Sequence, residues 1–267
     1  MKKLLPVFLF TSFIACNNTA NSPAETKAVD SNASTMAGSA SDATGAPGCG
    51  SMIMFHKGAI IEGKDYDTAG KVRSSSVTTV TNVRSEGNET IADLSMDTHS
   101  TYGGKEHNKV LNMSYKCDGK RLVMDLSGFL SNFSALKDAS VEGRALEFPL
   151  ELSVGQELPE ASVSATIDAG RVKMKTTSTY AKRRVEKKET ISTPAGTWSC
   201  FKIVNNIETT VDAGTDEIAK KMAEMMKQRS PKMSSAMWFA PGFGVVRSEF
   251  YKDNKLDSRS EIVSVKK

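Results

Sequence analysis

The chain has 267 residues, 39% of them hydrophobic and 25% charged, enough for one sizeable core or two small ones. Its formal charge of +4 falls to +2 once an amino-terminal segment carrying Lys2 and Lys3 is removed. No global basic field then remains, and nucleic acid is excluded as a partner of an exported chain.

Residues 1–15 begin with Lys2 and Lys3 and continue as an apolar run from Leu4 to Ala15. The run is too short to span a bilayer comfortably, and a basic start with a small residue at the cut marks a cleaved export signal. Ala15 before Cys16 resembles the bacterial lipobox, with Phe13 where leucine is usual, and implies cleavage before Cys16 and acylation of that cysteine. From Asn17 to Gly48 nearly every residue is Ala, Ser, Thr, Asn, Gly or Pro, with Val29 and Met36 as the larger apolar side chains. Such a stretch cannot offset its ordering entropy, so residues 16–48 are expected to form a lipidated, flexible tether. Asn17 is not the aspartate that retains lipoproteins at the inner membrane, which favours the outer membrane facing the periplasm, with surface display as the alternative.

Residues 49–267 read as a single domain of extended segments separated by turn chemistry. The turns fall at Asp67-Thr68-Ala69-Gly70, Ser85-Glu86-Gly87-Asn88, Gly103-Gly104, Asp118-Gly119, Asp168-Ala169-Gly170, Pro194-Ala195-Gly196 and Asp253-Asn254. Leu111, Met113 and Tyr115 alternate with Val110, Asn112 and Ser114, the pattern of half-buried antiparallel strands rather than of a parallel sheet between helices. So many strands must curl or close to avoid long sticky edges. The expected fold is all-β and mainly antiparallel: a curved spiral β-roll or half-barrel meander of about nine to eleven strands. The sharpest corner is Thr190 to Asn206, where Pro194 and Gly196 suit the turn and Trp198, Phe201, Ile203 and Val204 suit the strand after it.

Two stretches break the β pattern. Gly128 to Ser140 spaces Phe129, Leu130, Phe133 and Leu136 as a short helix would. Thr215 to Arg229 has Thr215 as N-cap, Asp216 and Glu217 in the first turn and Lys227 and Arg229 near the end, all suited to the helix dipole. It places Ile218, Met222, Met225 and Met226 on one face. The plain reading is a helix packed on the sheet. The sharper one makes Met222, Met225 and Met226, with Trp238 and Phe239 nearby, an adaptable apolar lining for a ligand, although core packing is the commoner role for the two aromatics.

Three cysteines follow Cys16. A bond from Cys49 to Cys117 would tie down the start of the domain and close a loop of nearly seventy residues, a constraint of about 4 kcal/mol in loop-entropy models. Cys200, between Trp198 and Phe201, is then a buried free thiol with no base to activate it. His99 and His107 lie on neighbouring strands, and Asp97 shares a face with His99. Without His-Glu-x-x-His or Cys-x-x-Cys spacing, however, no metal is expected. A Gly-x-Ser-x-Gly elbow and a phosphate-binding glycine loop are also missing, so no catalytic residue and no cofactor are assigned, and the protein reads as a non-enzyme. The basic run Lys182-Arg183-Arg184-Val185-Glu186-Lys187-Lys188 could touch anionic headgroups, but charges on a solvated or edge strand explain it more cheaply.

Thr193-Pro-Ala-Gly-Thr-Trp-Ser-Cys200-Phe-Lys-Ile203 and Trp238-Phe-Ala-Pro-Gly-Phe-Gly244-Val-Val-Arg, with Leu152-Ser-Val-Gly-Gln-Glu-Leu158 and Tyr115-Lys-Cys117-Asp-Gly119, resemble motifs of the TapB-like, DUF-type β-roll family of exported bacterial proteins. The resemblance implies a spiral β-roll with no established activity. The function expected is therefore a lipid-anchored envelope module that holds an apolar ligand or an envelope component. The alternative is a scaffold in an envelope complex without a small ligand.

Overall fold

The computed structural model describes residues 48–102, 105–125, 140–168, 173–214, 217, 220, 221, 223–225 and 230–267. The export signal and tether therefore lie outside the described residues.

The described chain opens with a turn of 3-10 helix, Ile53–Phe55, whose three side chains are all buried. Four strands follow as a meander: β1 (Ile60–Asp67), β2 (Val72–Glu86), β3 (Glu89–Tyr102) and β4 (Lys105–Cys117). Three short strands come next: β5 (Arg121–Asp125), β6 (Ser140–Arg144) and β7 (Leu146–Pro149). Then come β8 (Ala161–Asp168), the long pair β9 (Lys173–Thr193) and β10 (Gly196–Asp212), and finally β11 (Met233–Ala240), β12 (Gly244–Lys252) and β13 (Lys255–Lys266). All thirteen belong to one sheet in the order β6-β8-β9-β10-β11-β12-β13-β1-β2-β3-β4-β5-β7. Every pairing is antiparallel.

The two edge strands of this sheet, β6 and β7, are consecutive in the chain, separated by Ala145 alone. Arg144 pairs with Ser162 on one border while Leu146 pairs with Met124 on the other. The sheet thus comes back to itself and is nearly closed, through a covalent link where a barrel would have a ladder of hydrogen bonds.

The turns at residues 67–70, 85–88, 118–119, 194–196 and 253–254 fall where the sequence places them, while Gly103-Gly104 and Ala169-Gly170 lie outside the described residues. Asp67 Oδ1 accepts from the backbone N–H groups of Ala69 and Lys71, each at 2.9 Å. Asp253 and Asn254 both have positive φ, 49° and 62°, as a two-residue hairpin between right-twisted strands requires. Strands β1, β6, β7 and β11 are additional to the extended segments that the sequence pattern marks at residues 72–83, 90–101, 110–117, 121–126, 162–167, 172–179, 198–210, 244–251 and 258–265. β11 is buried on both faces, so its Ser-Ser-Ala-Met-Trp-Phe-Ala run shows no alternation. Of the first expected helix, residues 128–139 lie outside the described residues. Of the second, Glu217, Lys220, Lys221, Ala223, Glu224 and Met225 are helical, while its cap Thr215, Ile218, Met222, Met226, Lys227 and Arg229 lie outside them.

Two apolar clusters use the two faces of the sheet. The inner one contains Phe148, Leu158, Val185, Ile203 and Phe239 and is filled from the amino-terminal side by Met52, Ile53, Met54 and Phe55. The rings of Phe148 and Phe239 stack at 5.3 Å between centroids. Cys49 and Cys117 form a disulfide that ties this amino-terminal segment to β4. The smaller outer cluster holds Cys200, Ala236, Trp238, Ala240, Val246 and Ile262. The tip of the β9–β10 hairpin covers it, fixed by Arg247 Nη2 donating to the Ser192 carbonyl at 2.6 Å.

The basic run requires a correction. It belongs to β9, which β10 pairs along one side, while the other side of this stretch is covered by residues 155–158. Gly155 N–H donates to the Val185 carbonyl, Val185 N–H to the Gln156 carbonyl and Leu158 N–H to the Arg183 carbonyl, each at 2.9 Å. It is an interior strand, not an edge, and Arg183 is buried, with 1% of its surface exposed.

Candidate functional site

The basic run is also where the sheet is most irregular. Against the five residues from Lys202 to Asn206 of β10, β9 sets the seven from Ala181 to Lys187, with register shifts between Lys202 and Ile203 and between Val204 and Asn206. Each shift is a β-bulge, which bends the strand and re-aims its side chains. Lys182 takes the left-handed conformation, φ 53°, which costs a residue bearing a Cβ of order 1 kcal/mol.

Alternate members of the run point to opposite faces, as the strand period of two requires. Arg183 goes inward. Its Nη1 donates to the Pro159 carbonyl at 2.6 Å and its Nη2 to the Glu147 carbonyl at 2.9 Å. The guanidinium carbon lies 5.3 Å from the centre of the Phe148 ring. Burial lowers its pKa to about 10, and the charge of Glu147 acts against that shift. Arg183 therefore links β9, the 155–159 segment and the edge strand β7 beside the gap in the sheet.

Lys182, Arg184 and Glu186 face outward and, with Lys202, form one wall of an open recess of about 580 Å³. Asn205 and Ser235 border it, and their side chains, in the row of Ile203 and Phe239, form a buried polar pair behind it: Ser235 Oγ donates to Asn205 Oδ1 at 2.9 Å, and Asn205 Nδ2 donates to the Asn206 carbonyl at 3.2 Å. Tyr251 and Asn254 stand on the far side.

Lys202 is held in place rather than free. Its Nζ pairs with Glu186 at 2.7 Å and lies 5.5 Å from the centre of the Trp238 ring. Trp238 in turn donates from Nε1 to Glu189 Oε1 at 2.9 Å. Burial pushes the Glu189 carboxyl up, but the hydrogen bonds from Trp238 and Lys187 outweigh it and leave the pKa lowered. Beside this lies Cys200, a buried free thiol that burial pushes up to about 11. A thiol held protonated is a poor nucleophile.

A second recess, about 320 Å³, lies on β2, β3 and β4 and is lined by Ser75, Val77, Asp97, His99, Asn108 and Val110 among others. His99 pairs in register with Asn108, and Ser100 with His107. The two histidines therefore point to opposite faces and cannot share a metal. His99 instead meets Asn108, Nδ1 to Oδ1 at 2.5 Å. Among the described residues no three His, Cys, Asp or Glu side chains gather as a metal site.

Of the residues proposed to line an apolar ligand, three are described, and the two aromatics among them do not share a face. Met225 is helical and 53% exposed. Trp238 and Phe239 are neighbours on β11 and so face opposite sides, Trp238 in the outer cluster and Phe239 in the inner one. Met222 and Met226 lie outside the described residues, as does Cys16. Sequence reasoning missed the recess because it treated Lys182 to Lys188 as one solvated face. The signal available was the phase of Ala181, Arg183 and Val185, which marks an inward-facing row and leaves Lys182, Arg184 and Glu186 on the other side.

The DUF3108-like family model matches residues 56–262. The chain belongs to the DUF3108-like family. Within this family member three of the four quoted motifs meet at one place. Phe201 pairs in register with Phe239, the Trp198 and Phe243 rings approach to 4.5 Å, and the 152–158 motif binds the backbone of β9 beside them. Two solved structures are similar over most of the chain. One is a protein from Bacteroides fragilis described as exported, with a YmcC-like fold: TM-score 0.58, 19% identity, 81% of this chain and 99% of that one. The other, from Parabacteroides distasonis and described as a lipoprotein, has a TM-score of 0.56, 18% identity, and covers 79% of this chain and 96% of that one. At these identities the likeness is one of fold. No curated protein matches the chain.

Proposed function

We propose that this DUF3108-like chain is a lipid-anchored protein of the cell envelope whose β domain binds an envelope component through its outer face. In this reading residues 1–15 are removed, Cys16 is acylated, and residues 16–48 hold the domain off the outer membrane on the periplasmic side, surface display being the other orientation. The exported protein and the lipoprotein among its fold relatives support an envelope setting.

The observation that carries the outer-face reading is the contrast between the two faces. Side chains from both the strands and the amino-terminal turn occupy the inner face, where an apolar ligand would have to sit, whereas the outer face carries the open, polar recess. This favours the scaffold over the apolar-ligand carrier, and it assigns no catalytic step and no cofactor. A photo-reactive amino acid placed at Asn206, in the recess, is expected to capture a reproducible envelope partner in intact cells. The same group at Lys71, in the β1–β2 turn, is expected to capture none. Equal capture from both positions, or none from Asn206, would remove the outer-face reading.

A further inference from the structure

We propose that the outer recess between β9 and β12 binds a dianionic phosphate group. This rests on the reading that the outer face is the working face, and it names the chemistry that face recognises.

Three cations, Lys182, Arg184 and Lys202, line the recess against a single carboxylate, Glu186. Glu186 is already engaged by Lys202 at 2.7 Å, so the lining carries two positive charges in excess. Glu160, which is not among the lining residues, reaches the backbone N–H of Lys182 at 3.4 Å. A phosphate dianion matches the excess charge. A planar guanidinium beside ammonium groups suits tetrahedral oxygens, with Arg supplying paired donors and Lys a point charge. The hydroxyl of Ser234 and the amides of Asn206 and Asn254 stand around the cations as neutral donors.

The backbone supplies the second line of support. The left-handed Lys182 and both bulges of β9 fall on this wall and nowhere else along the β9–β10 pair. Glycine or asparagine would hold the φ of 53° at lower cost. A lysine in a strained position on a doubly bulged stretch of strand is an arrangement that folding alone does not require.

The phosphate could belong to a soluble phosphorylated molecule or to a phospholipid headgroup, and two probes separate these sources. The full chain carrying Cys16→Ser, so that no acyl anchor contributes, is titrated with pyrophosphate by calorimetry and co-sedimented with vesicles of phosphatidylcholine alone or with phosphatidic acid, a phosphomonoester, added. Saturable binding of pyrophosphate without vesicle binding points to a soluble ligand. Binding to the phosphatidic acid vesicles but not to phosphatidylcholine alone points to a headgroup. In either case Lys182→Gln with Arg184→Gln is expected to weaken binding at least about tenfold, the loss of roughly 1.4 kcal/mol. Lys57→Gln with Lys71→Gln, an equal change of charge away from the recess, should leave it unchanged. Lys182→Gly separates recognition from folding: it should melt no lower than the wild type, because the strain is relieved, yet bind more weakly. The proposal is overturned if neither probe binds, if both charge-pair variants lose binding equally, or if Lys182→Gly binds as the wild type does. Should the probes fail while Asn206 still captures a partner in cells, the phosphate inference falls and the scaffold reading stands.

Discussion

At the scale of single residues, the buried polar groups define the site. Glu189 is the most informative for pH. Its folded pKa is lowered because hydrogen bonds from Trp238 and Lys187 favour the carboxylate more than burial disfavours it. Its contribution to stability is therefore fully present above the ordinary glutamate range and is lost as pH falls through the folded value. Denaturation midpoints measured from about pH 5 down to about pH 3 should fall less steeply in Glu189→Gln than in the wild type. An unchanged slope would mean that the Trp238–Glu189 contact does not persist in solution. Residue-level legibility was uneven. The buried Cys200 could be read from its flanks, Trp198 and Phe201, because bulky neighbours in a strand leave the small thiol inside. Arg183 was legible only through its phase with Ala181 and Val185, because a charged side chain is seldom placed inside on residue type alone, and the bulges around it leave little trace in composition.

Among elements, turns were more legible than strands. Asx and Gly residues act locally, so the corners at Asp67, Pro194 and Asp253 followed from sequence alone. β11 did not, because the neighbours that bury both of its faces are distant in the chain. The amino-terminal segment is an element of the same kind: it has little regular structure of its own, yet it fills the inner face and is tied to β4 by the Cys49–Cys117 bond. Gly244 shows how closely it docks. Its φ is 117°, and a Cβ there would lie 2.6 Å from the terminal methyl of Met54. Gly244→Ala is expected to cost about 1–3 kcal/mol in urea unfolding from backbone strain and displacement of Met54. Gly244→Ala should cost less when made in a Met54→Ala background than in the wild type, since the colliding atom is already gone. An equal cost in the two backgrounds would show that Met54 and Gly244 do not meet.

For the whole molecule, sequence patterning led to a curved antiparallel half-barrel because half-buried strands cannot remain a flat open sheet. How the sheet ends was not legible: the borders β6 and β7 are only five and four residues long, and what makes them borders is the link through Ala145. The inner face is occupied by the domain's own side chains, and the scaffold proposed above would act from outside. Intact-mass spectrometry of the protein purified from membranes tests this most directly. The account predicts a denatured mass equal to a chain starting at Cys16 with covalent acyl groups, and a native mass with no stoichiometric apolar molecule added to it. A native complex that carries such a molecule and releases it on unfolding would contradict the scaffold reading and restore the carrier.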